Sequence, residues 1–375
     1  MDFSYISLDP VQVTRPTENE MLASRTWQGI PGIQKMPSGR LFAIWYAGGN
    51  GEGRDNYAQM VISDDDGMTW TDAVAVVNPP AQVRAFDPVI WLAPDGRLFW
   101  FWAQGCGGEA NSGDVFDGIV GVWCSILENP DDAPEAFRFT PSRRIANGIM
   151  MNKPTVFKDG TWALPCSIWS GEKYRRHDSL GVVPGAYMVV STDNGQTFSV
   201  RGRIDSSLVE GGPEYDEHIF IETTSGLLRC YMRVRKGLAE SVSYDGGRTW
   251  SKPELSSIKA PSSRIFIGRL KSGALLLVKN ESLTIREKLT AYLSFDDGKS
   301  WSSGLLLKAE AHVSYPDACQ GEDGSIYIVY DKDRFNGGYF YLSRITEQDI
   351  LQEKLCSPGS ALNIEISHSK PVPQE

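Results

Sequence analysis

Asp87, Glu217, Arg264 and Tyr315 share one phase of a repeating pattern, each lying nine residues before a glycine (Gly96, Gly226, Gly273, Gly324) that introduces an apolar run. Ile30 and Met151 occupy the same phase before Gly39 and Gly160. Seven residues after the six glycines come Tyr46, Ala103, Ser167, Arg233, Asn280 and Asp331, again mostly polar. If each glycine is a tight turn between antiparallel strands, residues at fixed distances on either side of it meet at one end of the hairpin. A polar strand end is ordinary by itself. Carboxylates, a phenol and two guanidiniums repeatedly in phase form a set that must compensate one another, as expected of a site for a charged or polyhydroxylated ligand. A phenol beside a carboxylate also offers a nucleophile and the base that activates it.

The elements that would position these groups are short strands. The six runs GRLFAIWY, GRLFWFW, GTWALP, GLLRCYM, GALLLV and GSIYIVY are rich in β-formers and bounded by Gly, Asp and Ser. A second pattern, S-x-D-x-G-x-[TS]-[WF], recurs at residues 63–70, 191–198, 243–250 and 294–301. Its Asp can bond backbone N–H groups and its Gly supplies a positive φ, so it reads as a structural turn at the end of the hairpins away from the polar phase. Six units of about 50 to 65 residues predict an all-β, six-bladed β-propeller, which leaves only short protected sheet edges. Blades two and three are expected to lack a clear Asp turn and to carry long rim loops near residues 107–117 and 171–184. Only residues 349–354 read as helical. One domain is predicted over residues 1–356, with a partly disordered tail at 357–375.

Composition narrows the function classes. The chain has 375 residues, a formal charge of -10, and 11 Trp, 14 Tyr, 15 Phe and 37 Gly, which suits a turn-rich β fold with a sizeable core. The acidic balance leaves no basic footprint for nucleic acid or for an anionic membrane. The opening residues lack a signal-peptide pattern and no apolar run reaches about 18 residues, so a soluble, cytoplasmic protein is expected. The 6 Cys and 4 His show neither C-x-x-C nor H-x-x-x-H spacing. Most cysteines therefore read as reduced core residues, and neither a metal site nor a cofactor is expected. The partner expected is a glycan or oligosaccharide; oligomeric state is left open.

These residues resemble the sialidases, or neuraminidases, and the wider group of propellers with bacterial neuraminidase repeats. The resemblance covers nearly the whole chain, and the four turn motifs look like that group's Asp boxes. Residues 216–233, from Asp216-Glu217-His218 to Tyr231-Met232-Arg233, resemble the stretch that carries the family's catalytic Glu and the second Arg of its carboxylate-binding trio. Ser314-Tyr315-Pro316-Asp317 is similar to the segment with the Tyr nucleophile, and Arg286 falls where the third Arg is expected. Arg54-Asp55-Asn56-Tyr57 lies at about the place of the acid/base Asp, with Glu52 a near alternative. The family's opening Arg-Ile-Pro is here Gly29-Ile30-Pro31, so the first Arg is missing; Arg25, Arg84 and Arg264 are the candidate replacements.

The resemblance implies an exo-acting glycoside hydrolase that releases a terminal sialic acid or another acidic or neutral sugar. A phenol suits a sugar whose anomeric carbon bears a carboxylate, because an Asp or Glu nucleophile would be repelled. Tyr needs a base, its unperturbed pKa being about 10. Glu217 would deprotonate Tyr315, Tyr315 would attack the anomeric carbon, and Asp55 would protonate the leaving oxygen and later activate water, with retention of configuration. Arg233 and Arg286 would hold the acid group or ring hydroxyls, with Asp87, Lys153, Arg264, His218 and Asp317 as further contacts. Alternatives on the same scaffold are a carbohydrate-binding propeller without turnover, a lyase and an intramolecular transglycosylase.

Overall fold

Each of the six glycines turns the chain between the first and second strands of a sheet. In all six turns the glycine N–H donates to the carbonyl three residues back, from Gly39 to Met36 through Gly324 to Gly321. Their φ values lie between 83° and 104°, where only glycine sits without strain. The computed structural model describes residues 7–16, 25–80, 82–106, 119–169 and 183–370. The expected rim loops at 107–117 and 171–184 fall almost wholly outside the described residues.

Six antiparallel sheets, each built from consecutive strands, form the ring of a six-bladed propeller. Blade one comprises Gln28–Lys35, Leu41–Ala47, Tyr57–Ser63 and Ala75–Val77. Blade four comprises Pro213–Glu222, Leu228–Val234, Gly237–Ser243 and Glu254–Leu255, and blade six comprises Val313–Gln320, Ile326–Lys332, Tyr339–Ile345 and Ala361–Ser367. The first strand of each sheet lines the channel. Ala361–Ser367 pairs with Tyr339–Ile345, so the segment read as a tail is in fact the outer strand of blade six: it can close that sheet because the short helix Glu347–Leu351 turns the chain back toward it.

The apolar core is divided among the blade interfaces. Leu276, Val278 and Leu293 of blade five pack on Ile326, Ile328 and Tyr330 of blade six. The ring closes where Ile33 and Leu41 of blade one meet Tyr327, Val329 and Leu342 of blade six. A closed ring without a long exposed edge follows from burying both faces of every sheet in this way.

The Asp turns join third to fourth strands, at the end of the blades opposite the polar phase. In the first, Ser63 Oγ donates to Asp65 Oδ1 (2.8 Å) and accepts from Gly67 N (2.9 Å), Thr69 N donates to Asp65 Oδ1 (2.9 Å), and Trp70 Nε1 donates to Gly67 O (3.0 Å). Hydrogen bonds from Thr69, or Thr197 and Ser300 at the equivalent places, hold Asp65, Asp193 and Asp296 at about 2. Residues 191–198 belong to blade three, so the sheets without this turn are two and six, not two and three. The long connection before Gly185–Ser191 delays the motif along the sequence, and in blade six the helix capped by Thr346 and Asp349 takes its place.

Ser63→Ala removes the acceptor for the buried Gly67 N–H. Leaving that donor unpaired costs about 1–3 kcal/mol, so the variant should unfold at lower temperature and lower urea concentration while keeping any activity of the distant polar end. Unchanged unfolding curves would show that the turn is not needed for stability.

Candidate active site

The inner strands are interrupted at matching places. The register of the first strand slips between Gly29 and Gly32, Phe86 and Val89, Asp216 and Ile219, and Ser314 and Asp317 in blades one, two, four and six. At each slip a non-glycine residue has positive φ: Ile30 (59°), Asp87 (47°), Glu217 (41°) and Tyr315 (52°), with Tyr215 (62°) and Asp216 (53°) preceding Glu217. This conformation costs about 1–2 kcal/mol per residue, and a bulge re-aims side chains. Pro31, Pro88 and Pro316 follow three of these residues directly and suit an interrupted ladder because they need no N–H partner.

The bulges bring Tyr315 and Glu217 together. Tyr315 Oη donates to Glu217 Oε1 at 3.1 Å, and Arg233 Nη1 donates to Glu217 Oε1 at 2.7 Å and to Tyr315 Oη at 3.1 Å. Burial opposes the charge on Arg233, but Glu217, Tyr315 and Glu214 outweigh it and raise its pKa. Arg286 lies with its Cζ 5.0 Å from the centre of the Tyr315 ring and shares Ser262 with Arg233. Among the described residues Arg286 has no ion-pair partner. Glu217 Oε2 is buried without a hydrogen bond. Trp27, Ile30, Tyr46, Phe86 and Met151 pack around Tyr315, keeping this polar group against an apolar floor.

Asp87 is buried with Oδ1 unpartnered, and burial first, then Glu52, pushes its carboxyl up to about 8. Arg84 lowers that value and donates to Asn56 Oδ1 at 3.3 Å with its guanidinium on the Phe86 ring, so it borders the same end. Glu52, on the connection between the second and third strands of blade one, reaches Arg334 at 3.5 Å. Asp55 on the same connection is exposed and, among the described residues, no hydrogen bond or ion pair joins it to the Tyr315 group.

Five expected contacts lie elsewhere. Arg264 is buried beneath the Tyr315 ring, where it donates to the carbonyls of Met151 (2.6 Å), Tyr315 (3.0 Å) and Pro316 (3.1 Å), groups left unpaired by the interrupted strands. Lys153 donates to Ala318 O (2.7 Å) and pairs with Asp317 (2.9 Å), which also accepts from Ile33 N (2.8 Å); Lys153 lines the opposite mouth of the channel. His218 turns outward to Tyr187 O (2.9 Å), and burial lowers its pKa to about 4, so it stays neutral. Arg25 joins Gln28 (2.8 Å) and Ser367 (2.9 Å) at the seam of blades one and six. None of the three candidate replacements stands where Gly29 leaves room.

Arg334 does. A Cβ built on Gly29 would lie 2.6 Å from Arg334 Cδ, and the Arg334 guanidinium sits 4.5 Å from the centre of the Tyr315 ring. Asp331 anchors it at 3.5 Å, and that carboxylate is itself fixed by Ser314 Oγ (2.7 Å) and Ile30 N (3.2 Å). Burial opposes the Arg334 charge, while Asp331, Tyr315 and Glu52 outweigh it and raise its pKa. The signal for this residue was the pairing of a missing side chain at position 29 with Asp331-x-x-Arg334 in the next blade of the ring. Among the described residues no three His, Cys, Asp or Glu side chains group as metal ligands.

Residues 39–328 match the model of the BNR repeat-like domain family, well over half of the chain. The chain belongs to the BNR repeat-like domain family. No curated protein matches its sequence. Among solved structures, this family member resembles the Hadza microbial sialidase Hz136 (17% identity, TM-score 0.65, covering 86% of this chain and 66% of that one). It also resembles the K499G mutant of NanB sialidase from Streptococcus pneumoniae (12%, TM-score 0.65, 91% and 71%). A third similar structure is the Trypanosoma rangeli sialidase in complex with sialic acid (15%, TM-score 0.60, 87% and 57%). The BNR repeat-like chain thus spans just under two thirds of the first of these proteins and less of the third. At such identities the likeness shows the fold they share.

The Asp87 carboxyl gives this family member a pH signature. Its proton is retained in the folded chain up to about 8 but is lost near 3.9 when unfolded, so the folded state binds the extra proton and the stabilising contribution disappears as pH rises through that interval. Asp87→Asn should therefore gain thermal stability relative to the parent as pH goes from about 4 to about 8, with the gap level above that. A gap independent of pH would contradict the protonated assignment.

Proposed function

We propose that the protein is a retaining exo-glycoside hydrolase with a tyrosine nucleophile, acting on a terminal acidic sugar of the sialic acid kind. The observation that carries this reading is the 3.1 Å hydrogen bond from Tyr315 Oη to the otherwise buried Glu217 carboxylate, held by two bulges from blades four and six, on either side of blade five.

Glu217 accepts the Tyr315 proton as the phenol oxygen bonds to the anomeric carbon and the glycosidic C–O bond breaks. Negative charge passing through that oxygen meets Arg233 at 3.1 Å, a preorganised donor. The leaving oxygen takes a proton from the blade-one connection. Glu52 is assigned this role in preference to Asp55, because Glu52 faces Arg334 and influences Asp87, Tyr46 and Tyr215, whereas the exposed Asp55 makes no hydrogen bond or ion pair with this group among the described residues. Water activated by the same carboxylate then releases the sugar from Tyr315 with its configuration retained. Arg233, Arg286 and Arg334 surround the phenol with positive charge suited to an acid group near the reacting carbon. Support from comparison comes from the sialidase neighbours, one of them holding sialic acid.

Assayed on a panel of methylumbelliferyl glycosides that includes a sialoside, Tyr315→Phe and Glu217→Gln should each lose roughly 10²- to 10⁴-fold in kcat/KM with the fold intact by circular dichroism. A Tyr315→Phe protein turning over its best substrate normally would reject the nucleophile.

A further inference from the structure

Arg334 is held on one side and loosely engaged on the other. Its stem fills the space beside Gly29, its Nε faces Asp331, and its guanidinium lies between the Tyr315 and Phe335 rings at 4.5 and 5.7 Å. Its Nη1, in contrast, is buried and makes no hydrogen bond; the nearest carboxylate, Glu52, stands off at 3.5 Å with its side chain 39% exposed. A guanidinium fixed in place with a spare buried donor gains most from an oxyanion that can approach closely and bidentately. Glu52 does not achieve this from its loop, since a half-exposed pair held at that distance is weak.

We propose that Glu52 and the carboxylate of an acidic sugar compete for Arg334: Glu52 occupies it in the free protein, and the bound sugar acid takes its place, releasing Glu52 toward the glycosidic oxygen. This rests on the hydrolase reading above and adds to it a reason for acidic substrates, because only an anionic ligand displaces Glu52 from the guanidinium, after which the carboxylate takes a proton from solvent and can donate it to the glycosidic oxygen. Gly29 is what permits the arrangement. Any side chain there would meet the Arg334 stem and push the guanidinium off the phenol. The acid group must lie close to the reacting carbon, given that Arg334 and Arg286 both flank the Tyr315 ring. It is therefore borne on the anomeric carbon or on the ring carbon next to the ring oxygen.

The test is calorimetric binding of free N-acetylneuraminic acid, glucuronic acid and, as the neutral control, glucose to the full chain and its variants. Arg334→Met should weaken whichever acid binds the parent by about tenfold or more, with Gly29→Ala moving in the same direction, and glucose unaffected. Glu52→Gln should strengthen acid binding several-fold, and that gain should vanish in the Arg334→Met background. Glu52→Gln leaving acid affinity unchanged would overturn the exchange. So would an equal gain with and without Arg334, which would mean simple repulsion. Arg334→Lys and circular dichroism guard against a variant that fails to fold. Since the cycle reads binding alone, it stands even if Tyr315→Phe keeps its turnover and the hydrolase reading falls.

Discussion

Each interrupted inner strand leaves backbone carbonyls and N–H groups unpaired inside the channel, and an unpaired buried polar group is costly. The centre of the propeller is organised around satisfying them. Arg264 collects carbonyls from blades three and six, Asn152 donates to Glu217 O and His218 O, Lys153 reaches Ala318 O, and Asp331 and Asp317 accept from Ile30 N and Ile33 N. These interior side chains tie the blades together across the ring. They also let Asp87, Glu217 and Tyr315 persist in a strained backbone conformation that aims them at one point.

The same constraint separates what the sequence revealed from what it did not. Phase relative to the six turn glycines singled out Ile30, Asp87, Glu217 and Tyr315, where four inner strands are interrupted, because each turn fixes the hairpin register; the meeting of Glu217, Tyr315 and Arg233 was legible for that reason. It could not tell a polar residue that joins this group from one that faces orphaned carbonyls, which is why Arg264 read as a substrate contact; Lys153 and Asp317, two residues past the phased positions Met151 and Tyr315, were expected as contacts too and instead serve Ala318 O and Ile33 N. His218 failed differently: it is next to Glu217, but successive residues point to opposite faces of a strand. Arg334 was invisible to phase because its place depends on the seam of first and last blades, a contact between residues roughly 300 positions apart in the chain.

At the level of architecture, the Asp turns and apolar runs specified six sheets, since each unit's register is set locally. Features set by insertions were less legible. The connection inside blade three concealed which sheet owned residues 191–198, and the polar stretch after residue 356 hid a strand that needs its neighbour to form. Electrostatically, the site gathers Arg233, Arg286 and Arg334 against Glu217, Asp331 and Glu52, with the apolar group around Trp27 and Phe86 limiting water. Low dielectric there strengthens each of these interactions.

The most direct measurement of the central claim is mass spectrometry of the intact protein after incubation with a fluorinated sialoside bearing a good leaving group, which slows release of the sugar more than its transfer to the protein. One added sugar, mapped by digestion to the peptide containing Tyr315, is the predicted result. An adduct on Glu217, Glu52 or any other carboxylate, from a substrate the protein turns over, would contradict it.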